Sequence, residues 1–402
     1  MKIIIINQYA GSAKHGMVYR PYYLAKEWTK KGHQVKIIAA SFSHVRNNQP
    51  DKNSELIDGI KYHWINTPKY KKNNYQRVIN IFVFCFKLRF ILGKIAKNFK
   101  PDIIISSSTH NLDIYSAKRT AKKFGAKLIY EVRDLWPLSP IEIGGMSPKN
   151  PFIKIIAKAE IFAYKNSDYV ISVLPKALNY METKGLEKEK FKYIPNGISL
   201  DSYKEKQPAS KKYTKKINLL KKKTKLLIGY AGAHGKANAL NFIIEAVKQF
   251  SKKEVALVLI GSGIEKNRLI TETKKHKNIV FLPSINKNEI FSIIEYFDIA
   301  YIGLKKIPLF KYGISPNKIM DYMIAGKPVL SSITSGNNLV KEAGCGFSTE
   351  AENITALVKT IKTILKLPKR ELRRLGKNGK SFVLKKYQYT MIAENYLSKI
   401  MK

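Results

Sequence analysis

The sequence predicts an α/β protein built from two doubly wound, Rossmann-like halves, and three observations carry that prediction. A chain of 402 residues exceeds the size at which a single hydrophobic core keeps growing. Short β-branched runs alternate with helical patterns through the first half, the signature of a parallel sheet with crossover helices. The same alternation restarts near Lys225, after a stretch from Lys204 to Lys225 whose ten lysines and one glutamate read as an exposed, mobile segment. An apolar fraction of 45% is that of a folded chain.

In chain order, Ile3 to Ile6 is the first strand, too short an apolar run for a signal peptide, and a loop from Gly11 to Gly16 follows it. Met17 to Lys31 is helical and stops at Gly32-His33, and Gln34 to Ala40 is the next strand. Asp102 to Ser106, Lys127 to Glu131 and Tyr169 to Val173 are three more strands, with a helix inside Ser107 to Phe124. The joint opens at Pro195-Asn196-Gly197. Beyond it, Leu226 to Tyr230, Ala256 to Ile260, Ile279 to Leu282, Ile299 to Ile302 and Pro328 to Ser331 are short apolar runs, separated by helices such as Leu240 to Phe250 and Asn288 to Tyr296. After Pro368 a basic helical stretch reaches Tyr387-Gln388-Tyr389, and a last helix runs to Lys402.

A formal net charge of +44 implies either a polyanionic partner or a lysine-biased composition spread over solvated faces. The excess is mainly lysine, whereas base reading and bidentate phosphate recognition favour arginine, so a membrane surface fits better than nucleic acid. No stretch approaches the roughly 20 apolar residues that span a bilayer. Arg77 to Asn98 sets Asn80, Lys87 and Lys94 seven residues apart on one helical face, with Arg77 and Lys97 near it and Ile81-Phe82-Val83-Phe84-Cys85-Phe86 in the apolar remainder. Such a helix either lies in a membrane interface or covers a sheet with its lysines outward. Cys85 and Cys345 are far apart and form no metal-type spacing, in keeping with a reducing cytosol.

The segment Ser315 to Leu330 carries the most chemistry. Lys318 and Asp321 lie three residues apart at a helix start that follows Pro316, and Gly326-Lys327-Pro328 ends the helix before a strand. A helix N-terminus and a lysine attract a diphosphate, and a carboxylate one turn in accepts hydrogen bonds from ribose hydroxyls. Three glycine turns end strands where ligands of such sheets bind: Gly11 to Gly16, Gly229 to Gly235, and Gly261-Ser262-Gly263. In the first half, Glu131-Val132-Arg133-Asp134 follows a strand directly. These charges either face a ligand or pair with one another and their neighbours. His110-Asn111 lies beyond another strand end, and His15 and His234 stand in the glycine loops. Zinc-protease, paired-cysteine, nucleophile-elbow, Asp-x-Asp and Walker motifs are all absent from the sequence.

These residues resemble a GT-B glycosyltransferase of the retaining family-4 type, and most closely the bacterial amino-sugar, fucosamine transferase-like enzymes of O-antigen and capsule assembly. The resemblance rests on the Gly11–Gly16 loop, Glu131 to Pro137, Pro195-Asn196-Gly197, the Gly232 loop, Gly261-Ser262-Gly263 and Pro316 to Pro328. It implies two Rossmann-like domains facing a cleft: residues 1–197 for the acceptor, 198–382 for the sugar nucleotide, and 383–402 as a helix returning to the first domain. It implies a UDP-sugar donor, an N-acetylated amino sugar in the closest relatives, and the hydroxyl of a polyprenyl-diphosphate-linked saccharide as acceptor. No metal or other cofactor is expected, and the place of work is the cytoplasmic face of the bacterial plasma membrane.

Carried over by position, Glu131, Arg133, Asp134 and His110 are the catalytic candidates. Gly232, His234, Gly235, Gly261, Gly263, Asn317, Lys318 and Asp321 would bind the donor, and Gly11, His15 and Gly16 would flank the acceptor. Two departures stand out. The first acid of the family's Glu-x7-Glu motif falls at Gly313, and the arginine and lysine that follow the first C-domain strand fall near Ala233 and Asn238. A UDP-sugar 2-epimerase would share the architecture but needs acidic residues for proton transfer at the sugar. A non-enzymatic membrane- or nucleic-acid-binding protein rests on charge alone.

Overall fold

Strands flanked by helices on both faces must be apolar along their whole length, because neither face meets water. The computed structural model, which describes residues 1–71 and 75–401, shows this: every residue of β9 (Leu226–Ala231) and β10 (Val255–Ile260) is buried. The chain forms two compact units, Met1–Asn196 with Tyr389–Lys402, and Gly197–Gln388.

The first unit is an eight-stranded sheet of β1 (Lys2–Ile6), β2 (Gln34–Ala40), β3 (Ser54–Ile57), β4 (Ile60–Ile65), β5 (Ile103–Ser106), β6 (Lys127–Val132), β7 (Tyr169–Ser172) and β8 (Phe191–Tyr193). Their order is β3-β4-β2-β1-β5-β6-β7-β8, and only β3 runs antiparallel to its neighbour. Ile3 pairs with Val35 on one side and Ile103 on the other. The chain reverses its direction of growth at β1, so the crevice lies beyond the ends of β1 and β5. β3, β4 and β8 go beyond the strands read from sequence. β3 and β8 are edge strands with half-exposed residues, and β4 interleaves Lys61 and His63 with aromatics, so none has the continuous aliphatic run that marks the others. The first helix starts at Arg20, three residues later than Met17, with Pro21 in its first turn where a missing N–H costs nothing.

The second unit is a six-stranded parallel sheet of β9, β10, β11 (Ile279–Leu282), β12 (Ile299–Gly303), β13 (Val329–Ser332) and β14 (Gly346–Thr349), ordered β11-β10-β9-β12-β13-β14. This is the doubly wound Rossmann order, with its switch point between β9 and β12. Helices cover both faces of the sheet, and two apolar clusters result.

Three sequence expectations are corrected. The lysine-rich stretch is no loose segment: Lys211–Lys223 is a helix whose Ile217 is fully buried, with Tyr213 and Leu220 packed against the same core. Residues 383–388 belong to the second unit, because the helix Lys369–Lys386 continues unbroken and Val383 is in that unit's core. The helix Tyr75–Phe99 is turned differently from the polar-face reading. Asn80 is buried and accepts from Gln8 Nε2 at 2.5 Å, and half-buried Lys87 donates to the Asn66 carbonyl at 2.8 Å. Ile81, Phe84, Leu88 and Leu92 form the buried stripe, and Ile79, Phe82, Phe86 and Phe90 face outward, Phe86 at 66% exposure. Among the described residues, no helix is long and apolar enough to cross a membrane.

Candidate active site

In the second unit the loops leaving β9 and β10 are laced together. Gly232 N donates to the Ile260 carbonyl at 2.9 Å, and His234 N donates to Ser262 O at 2.7 Å. Gly232 has φ +155°, and a Cβ there would stand 1.9 Å from Lys318 Cε, so only glycine lets the lysine stem pass under the loop. Gly261 and Gly263 are equally tight, against the Gly232 carbonyl and the His234 backbone. Lys318 is the second residue of the helix Asn317–Ile324. Its Nζ donates to Asn238 Oδ1 at 3.2 Å and stands 5.3 Å from the Tyr230 ring centroid. Burial pushes its pKa down to about 8, against the opposing pull of Asp321 one turn further along. Asn317 is exposed at the helix start, and Gly235 precedes the short helix that presents Asn238.

His234 is fully buried rather than solvated. Neither ring nitrogen has a hydrogen-bond partner among the described residues, and burial pushes its pKa to about 4, so it is neutral at pH 7. The glycine stretch therefore gathers a cation, a neutral imidazole and backbone amides at one strand edge.

Three further residues complete this edge. Lys266 donates to the carbonyls of Gly261 and Leu282, both at 2.7 Å, tying the ends of β10 and β11. The Tyr322 hydroxyl accepts from Ala231 N at 3.0 Å and fixes the end of β9. Asn337 holds both the N–H and the carbonyl of Ile314, next to Gly313. Lys266 was accessible to sequence reasoning as a cation shortly after a glycine turn at a helix start; the tyrosine and the asparagine carry no local signal. Gly313 itself has φ +98°, so the family's glutamate cannot take this position without strain.

In the first unit the same edge is occupied by a buried polar network. Arg20 Nε donates to Glu131 Oε2 at 3.0 Å, and Ser107 Oγ donates to Oε1 at 2.8 Å. Arg20 also donates to the carbonyls of Ile194 and Pro195. Glu131 is thus corrected from a ligand-facing acid to the buried half of an ion pair, both of its oxygens being engaged. Arg20, which supplies the other half, was not singled out in the sequence because its partner lies 111 positions away.

Arg133 is half-buried, forms no ion pair among the described residues, and its Nε has no partner. Burial lowers its pKa. Asp134 accepts from Ser139 Oγ at 2.5 Å, and burial raises its pKa. The two therefore do not simply pair with each other. His110 is buried, and its Nδ1 accepts from Leu112 N at 3.2 Å, which leaves the ring proton on Nε2. That Nε2 has no partner among the described residues, and burial pushes the ring pKa down to about 3.

The Gly11–Gly16 loop folds back on itself. Ser12 and Gly16 exchange backbone hydrogen bonds, and Tyr62 donates to the Gly11 carbonyl at 2.8 Å. His15 is corrected from an acceptor-side group to an anchor of that loop. It is buried, with Nδ1 at 2.9 Å from Ser12 Oγ, Nε2 at 3.3 Å from Glu55, and its ring against Trp64.

Two doubly wound, largely parallel sheets with glycine-lined strand ends define the two-Rossmann class, and comparison with known proteins says which family of that class the chain belongs to. Residues 15–202 match the model of Glycosyltransferase Family 4, and residues 211–382 match that of Glycosyl transferases group 1. The chain belongs to the GT-B glycosyltransferases of this family 4/group 1 type. It is 20% identical over 98% of its length to a probable glycosyltransferase, WbjE, of Pseudomonas aeruginosa, covering 96% of that protein. Among solved structures it resembles sucrose-phosphate synthase from Thermosynechococcus elongatus (TM-score 0.77, 15% identity, 99% of this chain and 98% of that one). It also resembles Anabaena HepE in complex with UDP-glucose (TM-score 0.68, 14% identity, 100% and 99%).

Proposed function

We propose that this glycosyltransferase moves a sugar, an N-acetylated amino sugar by its sequence resemblance, from a UDP-sugar to a hydroxyl of a polyprenyl-diphosphate-linked saccharide. The transfer retains configuration and uses no metal ion. The observation that carries the donor half is Lys318, threaded under Gly232 at the start of a helix and beside the β9 and β10 loops. Charge accumulates on the diphosphate as the glycosidic bond breaks, and a preorganised cation with backbone amides stabilises it. Asp321 takes the ribose hydroxyls, and Asn317 faces the diphosphate or the sugar. On the first domain the His110 Nε2–H and Arg133 meet acceptor or sugar hydroxyls, with Asp134 orienting them. Support for a UDP-sugar comes from the HepE complex, which holds UDP-glucose.

The enzyme works as a peripheral protein on the inner face of the bacterial plasma membrane. The outward Ile79–Phe82–Phe86–Phe90 stripe, with Arg89 and Lys94 exposed beside it, supports this as an interfacial helix.

Incubation with a panel of UDP-sugars and an undecaprenyl-diphosphate-linked saccharide tests the reading, a new glycolipid being the expected product. Sugar isomerisation without acceptor would instead indicate an epimerase, and neither product a binding protein. Asp321→Ala should weaken UDP binding about tenfold in calorimetry, the worth of a charged hydrogen bond; unchanged affinity removes Asp321 from the ribose role.

A further inference from the structure

At the amino ends of the second sheet's strands, opposite the donor edge, lies a cavity of about 780 Å³. Seven lysines line it and no acidic residue does. The helix Lys211–Lys223 supplies three of them, the turn before β10 supplies two, and Lys225 and Lys277 lead into β9 and β11. None of the seven side chains forms a hydrogen bond or ion pair among the described residues; the neighbouring acids are taken, Glu254 by Ser251 and Asp298 by Lys221 and Leu227 N. The floor is apolar, made by Leu219, Leu220, Ala256 and Val280, and Leu219 is 51% exposed.

This is more than the general lysine bias. The cavity at the corresponding edge of the first sheet, about 980 Å³, interleaves its lysines with Asp168, Glu187 and Glu189. Three acids accompany five lysines there, and Lys190 pairs with Glu187 at 2.8 Å. The seven lysines of the second unit have no acid in their lining, and uncompensated charges held side by side repel one another unless an anion joins them.

We infer that this cavity is a docking site for the headgroups of anionic phospholipids, with the exposed Leu219 reaching toward the acyl boundary. Lysine is suited to diffuse attraction by an anionic lipid surface, and an apolar floor suits the edge of the acyl region. A single-stranded nucleic acid would ask for aromatic stacking platforms, and the lining contains no aromatic residue. The site lies in a different unit from the Tyr75–Phe99 helix and is independent of the transfer reaction.

The test is cosedimentation of the full chain with phosphatidylcholine vesicles, with and without phosphatidylglycerol. The triple variant Lys222→Glu/Lys225→Glu/Lys277→Glu should lose at least about tenfold in partition onto the anionic vesicles, as three surface lysines near a charged bilayer predict. The control triple Lys369→Glu/Lys377→Glu/Lys385→Glu makes the same change in net charge on another helix and should lose less than about twofold. Leu219→Asp should weaken the binding that survives high salt, where lysine attraction is screened. UDP affinity, unchanged in every variant, reports the fold. Equal losses in the two triples, no loss in the first, or loss of single-stranded RNA binding with vesicle binding intact would each overturn the assignment.

Discussion

The strand-end edges of the two sheets solve opposite problems with similar residues. In the first unit a cation and an acid are buried together, Arg20 against Glu131, and further bonds from Ser107 and to the Ile194 and Pro195 carbonyls close the set. In the second, Lys318 is held by a neutral asparagine and an aromatic face, and its charge is left underused. The first arrangement commits its charges to each other; the second leaves a buried cation with no acid hydrogen-bonded to it among the described residues. A charged residue at a strand end is therefore ambiguous until its partner is known.

Breaking each edge should separate these roles. Glu131→Ala strands Arg20 in the interior and should cost about 3–5 kcal/mol in urea unfolding, the largest effect expected in the molecule. Arg20→Met with Glu131→Leu should recover much of that loss. If Glu131→Ala folds normally and loses only turnover, the ion pair is not structural and the contrast collapses. Lys318→Met should lower kcat by about 10²–10³-fold, the scale of one transition-state charge donor, with the melting midpoint unchanged or raised. A folding defect without a kinetic one would place Lys318 with Arg20.

The smallest effect sharpens the contrast. Lys318 titrates near 8 in the free protein because burial disfavours its charge. A bound diphosphate favours the protonated amine, so UDP affinity should be full below about pH 8 and fall above it, by up to about tenfold per unit. Lys318→Met should flatten that profile in calorimetry; a profile unchanged by the substitution assigns the titration elsewhere.

The architecture was legible because aliphatic runs such as Ile3–Ile6 and Val255–Ile260 are buried on both faces and announce themselves in one dimension. The edge strand β3 and the interleaved β4 did not, since their burial depends on neighbours far along the chain. The packing of Lys318 against the glycine loops was legible for a related reason: the lysine and the glycines sit in short local motifs at strand and helix ends. Glu131 and His15 misled because their partners, Arg20 and Glu55, are remote in sequence and only tertiary structure reveals that they are taken. The Tyr75–Phe99 helix misled through phase. Counting sevens placed its polar residues outward, while Asn80 turned inward to satisfy Gln8.

The final helix, Tyr389–Met401, has a bearing on biosynthesis. Tyr389, Ile392, Ala393, Tyr396 and Ile400 are part of the first unit's core, and the Trp28 indole donates to the Ala393 carbonyl at 2.9 Å. A ribosome releases Trp28 long before Ala393, with the whole second unit made in between. The first domain must therefore wait, partly open on that side, until the second has been synthesised. A nascent chain stalled anywhere before Tyr389 would present that unclosed apolar face to chaperones, whatever the state of the domain that follows it.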